Sequence, residues 1–448
     1  MFRAVIRAFR TADLRNKLLF TLGIVAIYRL GSFIPAPNVD FAAVQQCLTS
    51  VNQAASSADG AGPSQLFQLI NLFSGGALLQ LSIFALGIMP YITASIITQL
   101  LRVVIPRFET LHKEGQAGQA KLTQYTRYLT IALAILQSTT LVSVARAPGQ
   151  MFGSACSNVE LLRDSSAFSI LLMVITMTAG TGLIMWMGEL ITERGIGNGM
   201  SLLIFASIAS SFPSSLNTVW SKSPETALLV VAIGVVIVGL VILVEQSQRR
   251  IPVQYAKRMV GRREYGGQST YIPIKVNMAG VVPVIFASSL LYLPALIAQF
   301  DQPDATTGQV APWVNFVSQY LTQGDHPLYM AMYFLLILGF TYFYVAITFN
   351  PQEVSDNMKQ YGGFIPGIRA GRPTTEFLEY VLSRITLPGA IYLGLIALIP
   401  LVAFSLLGTS QNFPFGGTSI LIIVGVGLES VKQINAQMQE RNYEGLLK

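Results

Sequence analysis

Few residues in this sequence have the types and spacing that catalysis or metal binding requires. Its 448 residues include two histidines, His112 and His326, and two cysteines, Cys47 and Cys156. Two cysteines are too few for a disulfide scaffold or a zinc site. The sequence also has no HExxH motif, no GxSxG motif and no GxxxxGK(S/T) phosphate-binding loop. We therefore predict a protein that is not an enzyme, with no catalytic residues, no metal and no cofactor.

The elements that must position any functional group are membrane helices. Hydrophobic residues make up 52% of the chain and Asp, Glu, Lys and Arg only 11%, whereas a soluble domain carries about 25% charged residues. This composition excludes an ordinary cytosolic enzyme, a nucleic-acid-binding domain and a disordered protein. The apolar runs are too long and too uniform for strands of an outer-membrane barrel. The sequence predicts an all-α polytopic membrane protein.

Ten segments are apolar over the ~20 residues that a helix needs to cross ~30 Å of hydrocarbon. They cover residues 18–35, 77–101, 122–145, 168–188, 200–219, 227–244, 278–299, 328–349, 385–407 and 419–437. With the N-terminus inside, 25 of the 29 Lys and Arg residues fall on the cytoplasmic side. Basic residues favour that side, so we predict a multi-pass protein of the cytoplasmic membrane with both termini cytoplasmic.

The midpoint of the chain lies near Pro224, between the fifth and sixth predicted spans. Five spans in each half would give the halves opposite polarity, which is the geometry of inverted repeats around a central path. A ten-span bundle without a repeat would have the same count. We predict an N-terminal segment 1–17, halves at 18–221 and 222–437, and a cytoplasmic tail at 438–448. Segment 1–17 is either an amphipathic helix on the inner leaflet or only a basic flank.

Ionisable groups are almost absent from the predicted spans. Arg29 lies near the outer end of the first span, where its side chain can snorkel to water, and Glu189 and Glu429 lie near cytoplasmic ends. Because ion and proton pumps keep charged residues at mid-membrane, proton-coupled transport is not favoured. Sodium binding by the backbone of a broken helix stays open.

One apolar stretch, LFQLINLFSGGALLQL at residues 66–81, is interrupted by Gly75 and Gly76. Each glycine costs a helix ~1 kcal/mol relative to alanine, so we expect the helix to break there. The sequence predicts a short apolar half-helix on the outer side, before the second span. It is either an ordinary re-entrant loop or a movable stopper.

Two long cytoplasmic connections, residues 249–275 and 350–384, are basic and rich in glycine and proline. Their arginines could bind lipid, an acidic protein surface or ribosomal RNA. Partner docking is favoured, since an anchor that only fixes orientation needs no such length.

Cys47 and Cys156 both fall on the predicted outer side, where a disulfide could form. Two loop thiols usually lie too far apart to bond, so this pairing is left open.

Several stretches resemble the SecY family. They are RLGSFIPAP (29–37), SIFALGIMPYITASIITQLL (82–101), QYTRY (124–128), ITERGIGNG (191–199), KVNMAGVVPVIFASS (275–289), FNPQEVSDNMK (349–359), FIPGIRAG (364–371) and FGGTSILI (415–422). The resemblance implies ten transmembrane helices in two inverted five-helix halves around a central hourglass pore for unfolded polypeptide.

The same resemblance assigns site residues. An aliphatic ring at the waist of the pore would consist of Ile88, Ile92, Ile204, Ile208, Ile285 and Ile422. Spacing alone does not distinguish these isoleucines from lipid-facing or core residues. A plug at residues 66–76 would consist of Leu66, Phe67, Leu69, Ile70, Leu72, Phe73, Ser74, Gly75 and Gly76.

The resemblance also implies a lateral gate, with spans two and three on one side of it and spans seven and eight on the other. Thr93, Gln137 and Asn277 match its polar cluster, and Arg262, Arg263 and Arg369 would dock partners. The implied partners are the small subunits SecE and SecG, the motor ATPase SecA, the ribosome, signal sequences, unfolded preproteins and membrane lipids, but not DNA. A secondary transporter of a small solute is the alternative, although few polar residues lie near mid-membrane.

Overall fold

The fold is known from a computed structural model that describes most of the chain. The described residues are 11–54, 74–146, 156, 159, 161–164, 166–222, 224–255, 258–260, 263–265, 269–298, 312–321, 326–407 and 417–446. Most of the predicted N-terminal amphipathic segment and residues 66–73 of the predicted plug lie outside this part.

A helix occupies each of the ten predicted spans. The first half contains α1 Ala12–Gly31, α2 Phe41–Ala54, α3 Met89–Val104, α4 Pro106–Lys113, α5 Gln116–Ala145, α6 Ala167–Arg194 and α7 Gly199–Lys222. The second half contains α8 Pro224–Gln246, α9 Val282–Ala298, α10 Pro312–Phe316, a π-helical turn Val317–Leu321, α11 Pro327–Thr348, α12 Pro351–Gln360, α13 Arg372–Leu407 and α14 Gly417–Leu446. Helix α14 therefore continues through most of the predicted cytoplasmic tail.

Four helical stretches of the described chain are long and apolar enough to cross a membrane by length and composition alone. They are Ala167–Arg194, Pro327–Gln360, Arg372–Ile399 and Ser419–Gln439. The bent pair α3 and α4, whose axes turn by 100°, would be a fifth. The bend occurs at Ile105, which is extended because the following Pro106 disfavours a helical conformation there. The count of ten spans is consistent with this fold.

The prediction for the second span is wrong in its first part. Residues 74–88 form successive turns, and the helix begins only at Met89. Leu81 and Gly87 have φ angles of 47° and 55°, in the left-handed region that a right-handed helix cannot include. Pro90 then lies in the first turn of α3, where its missing N–H costs nothing.

The two predicted outer connections of the first half pack on each other. Val39 forms a β-bridge with Leu162, and the Asp40 amide donates to the Leu161 carbonyl at 2.9 Å. Cys47 and Cys156 are joined by a disulfide, and their Cα atoms lie 5.6 Å apart. The pairing that the sequence left open is therefore present, because α2 and the paired segments bring the two connections together.

The apolar core is divided among several clusters of buried side chains. One cluster lies in the first half, around Met173 and Met177 of α6, and another in the second half, around Ile337 and Leu393. A further cluster takes members from both halves, including residues of α1, α3, α7, α9 and α14. The contact between the halves is therefore itself a hydrophobic core.

The two long connections that are predicted to be cytoplasmic pair with each other through one shared strand. Strand β1 (Gln248–Tyr255) pairs antiparallel with β4 (Ser269–Lys275) on one side and with β5 (Gly363–Phe364) on the other. Strands β2 (Arg258–Val260) and β3 (Arg263–Tyr265) form a second small sheet. We call the described residues of 248–275 and 350–371 the cytoplasmic platform, after their predicted side of the membrane. Its apolar cluster includes the buried side chains of Ile251, Val253, Ile274, Met358, Ile365 and Leu378.

Candidate functional site

The six predicted ring isoleucines lie in one apolar cluster between the two halves. Five of them are buried and the sixth, Ile285, is half-buried against them. The first half supplies Ile88, Ile92, Ile204 and Ile208, and the second half supplies Ile285 and Ile422. Residues four apart on a helix share a face, so Ile204 and Ile208 of α7 present two methyl-rich side chains in the same direction. Ile88 is the N-cap of α3, and its carbonyl accepts a 3.1 Å hydrogen bond from the Ile92 amide.

Aromatic side chains close one side of this cluster. The ring of Phe286, next to Ile285 on α9, packs edge-on against Phe340 and Tyr344 of α11, with centroid distances of 5.8 and 6.3 Å. A constriction lined in this way excludes water and so blocks ions without binding them. Branched aliphatic side chains can also shift around a passing chain, because no directional bond holds them.

The segment before α3 carries the last three predicted plug residues, whereas the half-helix predicted before the double glycine lies outside the described residues. Gly75 and Gly76 have φ angles of 67° and 90°, a conformation that glycine adopts without steric cost. Ser74 is fully buried, and its hydroxyl accepts a hydrogen bond from the Leu78 amide at 3.1 Å. We call residues 74–88 the plug root.

Helix α1 contacts the plug root through Arg29, to which the sequence analysis assigned no role at the plug. The Arg29 guanidinium donates a hydrogen bond to the Gly75 carbonyl and lies 5.0 Å from the centroid of the Phe33 ring. The preceding residue, Tyr28, shares a 2.7 Å hydrogen bond with Ser207 of α7, next to the ring residue Ile208. The one feature of the sequence that pointed to Arg29 was its position, as an arginine inside a predicted span.

The three residues of the predicted lateral gate lie on α3, on α5 and before α9. Thr93 donates to its own helix at the Met89 carbonyl, 3.0 Å away. The Asn277 amide, which is buried, donates to Glu245 at 2.6 Å and to the Gly280 carbonyl at 3.2 Å. Gln137 is half-buried on α5. Glu245, at the end of α8, is therefore a partner of Asn277 that the sequence analysis missed.

The predicted docking residue Arg369 is exposed on the cytoplasmic platform, in the turn between β5 and α13. Its carbonyl accepts a 2.9 Å hydrogen bond from Thr374, and the turn contains left-handed glycines at 367 and 371. Arg372 forms an ion pair with Glu376 at 3.0 Å, whereas the described residues offer Arg369 no carboxylate within ion-pair distance.

Of the other two predicted docking arginines, the structure describes one. Arg263 begins β3 opposite Val260, and Arg262 lies outside the described residues. Elsewhere on the predicted cytoplasmic side, Arg127 of α5 makes a bidentate pair with Glu189 of α6, at 2.8 and 2.9 Å. This pair explains how Glu189 is tolerated near a span end, since both carboxylate oxygens are satisfied.

Comparison with known proteins identifies the architecture that holds these residues. A family model described as SecY matches residues 82–431. The chain belongs to the SecY family. It is 62% identical over 456 residues to a protein of Streptomyces galbus and 60% identical over 450 residues to one of Micrococcus luteus. Both are named protein translocase subunit SecY, and each alignment covers the full length of both chains.

Solved structures of protein-conducting channels have the same fold. One such channel is 17% identical to this chain with a TM-score of 0.60, covering 94% of this chain and 92% of that one. The channel of the canine ribosome–channel complex from the endoplasmic reticulum is also 17% identical, with a TM-score of 0.58 and the same coverage. The predicted fold class is confirmed, and the SecY family is favoured over a secondary transporter.

Proposed function

We propose that this chain is the protein-conducting channel subunit of a bacterial translocase. Through it, unfolded secretory polypeptides would cross the cytoplasmic membrane. The observation that carries the proposal is the convergence of six isoleucines from both halves into one buried cluster. The names of the translocase subunits that this chain resembles over its full length point the same way. No catalytic role is proposed, because the work of translocation would be supplied by partners.

Lateral release of membrane helices would occur between α3 and α9. Helix α3 packs extensively on α5, and α9 packs on α11, whereas α3 and α9 meet over only a short stretch. A short contact can separate at lower cost than an extended one, and interhelical polar contacts are worth ~0.6–2 kcal/mol each in membranes. A signal sequence would enter here and exchange its apolar face with lipid.

The cytoplasmic platform would dock the partners that drive transport. Its two connections are joined through β1, which pairs with β4 of the first connection and with β5 of the second. Arg263 lies on the small β2–β3 sheet of the first connection, and Arg369 follows β5 in the second. One solved relative of this fold comes from a ribosome–channel complex. The proposed partners are the ribosome, the motor ATPase SecA and the small subunits SecE and SecG.

The disulfide supports the predicted orientation in the membrane. Disulfides persist in oxidising compartments and are rare in the cytosol. A bond between Cys47 and Cys156 is therefore expected on the outer side of the cytoplasmic membrane, where the distribution of basic residues also places it.

Site-specific photocrosslinking tests the proposed path. A photoreactive residue at Ile92 or Ile285 should form adducts with a stalled, radiolabelled secretory precursor. Leu228, which is 69% exposed on α8, provides the lipid-facing control and should form none. Absence of adducts from both ring positions, in a preparation that still translocates, would place the path elsewhere and overturn the site assignment.

A further inference from the structure

An open cleft lies between α5 and α6 of the first half, at the predicted cytoplasmic boundary of the membrane. Its volume is about 340 Å³. The cleft is lined by Arg127 of α5 and by Met185, Trp186, Glu189, Leu190 and Glu193 of α6. It therefore combines ionised and apolar side chains at the depth where phospholipid headgroups meet their acyl chains.

The charges in the cleft are not balanced. Arg127 is paired with Glu189, whose two carboxylate oxygens accept hydrogen bonds from its Nε and Nη2 atoms at 2.9 and 2.8 Å. Glu193, one helical turn after Glu189, is exposed, and the described residues give it no hydrogen bond and no ion pair. At neutral pH the cleft therefore contains one positive and two negative side chains. Such a site repels an anion and favours a ligand that brings a cation.

The same side chains keep hydrogen-bonding groups that the ion pair does not use. A guanidinium has more N–H donors than the two that Arg127 gives to Glu189. The described residues offer no acceptor to its Nη1 group, so Arg127 can donate to a phosphate while it holds Glu189. Glu193 can accept from an ammonium group. A phosphate with an ammonium group on a short linker is the headgroup of a zwitterionic aminophospholipid.

An apolar stripe on α6 leads from the membrane to this cleft. Trp186 is 56% exposed at the end of the stripe. The other large side chains on its face are also exposed and precede it at spacings of one or two helical turns; they are Phe168, Leu172, Ile175 and Leu183. Tryptophan is enriched at membrane interfaces because its ring is apolar and its N–H is polar. The stripe therefore offers acyl chains a surface that ends where the charged groups begin.

We propose that this cleft binds the headgroup of a zwitterionic aminophospholipid of the phosphatidylethanolamine class. Arg127 donates to the phosphate, Glu193 accepts hydrogen bonds from the primary ammonium group, and the acyl chains lie along the stripe that ends at Trp186. An anionic phospholipid meets two carboxylates and brings no cation to them. A phosphocholine headgroup carries the same charges, but its quaternary ammonium has no N–H to donate to Glu193. The inference goes beyond the proposed channel function and does not depend on it.

The test measures the lipids that the purified full-length chain retains, by native mass spectrometry. The chain is mixed in detergent with equal amounts of phosphatidylethanolamine, phosphatidylglycerol and phosphatidylcholine that have identical acyl chains. The unmodified chain should retain phosphatidylethanolamine in preference to the other two. Lipids bound elsewhere on the chain contribute equally in every variant, so a difference between variants reports on the cleft.

Substitutions of Glu193 separate the contribution of its charge. Glu193→Gln should reduce the preference for phosphatidylethanolamine over phosphatidylcholine about two- to fivefold, the effect of losing one exposed ion pair. Glu193→Lys reverses the balance of charge in the cleft and should turn the preference toward phosphatidylglycerol. Because Glu193 is exposed, neither change should prevent folding, and the thermal midpoint of each variant checks this.

Glu379→Gln is the matched control. Glu379 is also an exposed carboxylate at the predicted cytoplasmic end of a span, on α13 and outside the cleft, so its loss should leave the retained lipids unchanged. The same lipid preference in Glu193→Gln as in the unmodified chain would overturn the proposal. A preference of the unmodified chain for phosphatidylglycerol would overturn it too. So would a preference that disappears when the chain is assembled with its small subunits, because a partner helix would then cover the cleft.

Discussion

At the scale of single residues, the pair of Glu245 and Asn277 joins the cytoplasmic platform to the membrane helices. Glu245 lies shortly before β1 and Asn277 shortly after β4. Their 2.6 Å hydrogen bond therefore joins the two ends of the β1–β4 pair where it meets the helices. Asn277 is 3% exposed, and no described residue provides a partner for its Oδ1 atom. Its Nδ2 group donates to the Glu245 carboxylate, the shorter of its two hydrogen bonds, and to the Gly280 carbonyl.

We expect Glu245→Ala to destabilise the protein. The substitution leaves a buried amide without its charged acceptor, and such a loss costs about 1–3 kcal/mol. The thermal midpoint of the purified protein in detergent should fall. The matched control is Glu225→Ala at the exposed start of the same helix, where a surface change should alter the free energy of unfolding by about 0.5 kcal/mol or less. Equal midpoints for the two variants would show that the pair contributes nothing.

At the scale of elements, the disulfide joins α2 to the connection before α6 across 109 residues of sequence. Cross-links that close long loops restrict the unfolded chain, and they typically stabilise by about 2–4 kcal/mol. Both cysteines are fully buried in the cluster of the first half. The bond should therefore stabilise the predicted outer side of that half, and its burial should protect the bond from reductant.

Replacement of both cysteines by serine should lower the thermal midpoint of the purified protein. In the denatured, unmodified chain, neither cysteine should alkylate before reduction and both should alkylate after it, and the intact mass measures this difference directly. The mass of the serine variant should be the same with and without reductant. An unmodified protein with the same alkylation before and after reduction would show that the bond does not form.

The elements differ in how far they could be predicted from sequence. Long apolar runs predict the helices because each span must bury its own backbone hydrogen bonds in lipid. The turns at residues 77–88 escaped prediction because Leu81 adopts a left-handed φ that no local residue preference indicates. The disulfide and the bond from Arg29 to Gly75 join residues 109 and 46 positions apart, so only the folded chain brings them together. The ring isoleucines were found by resemblance, because their spacing is that of any apolar helix face.

At the scale of the whole molecule, the proposed seal of the channel would be a property of both halves together. Four of the proposed ring isoleucines come from the first half and two from the second, so separating the halves would expose the cluster between them. We propose that the short contact between α3 and α9 and the ring would change together when a polypeptide enters. Sealing and lateral release would then depend on the same movement.

The last prediction concerns the chemistry of that seal. Replacing Ile208 and Ile422 by serine introduces one hydroxyl from each half at the constriction, and we expect the constriction to hydrate and conduct ions without substrate. Replacing the same two residues by leucine conserves volume and apolarity and should preserve the seal. Val235→Ser, at a position 67% exposed on α8, controls for the loss of an apolar side chain elsewhere in the membrane. Ion flux into vesicles distinguishes the cases. If the serine variant stays as tight as the leucine variant, the six isoleucines are core residues, and the ion barrier must lie at the plug instead.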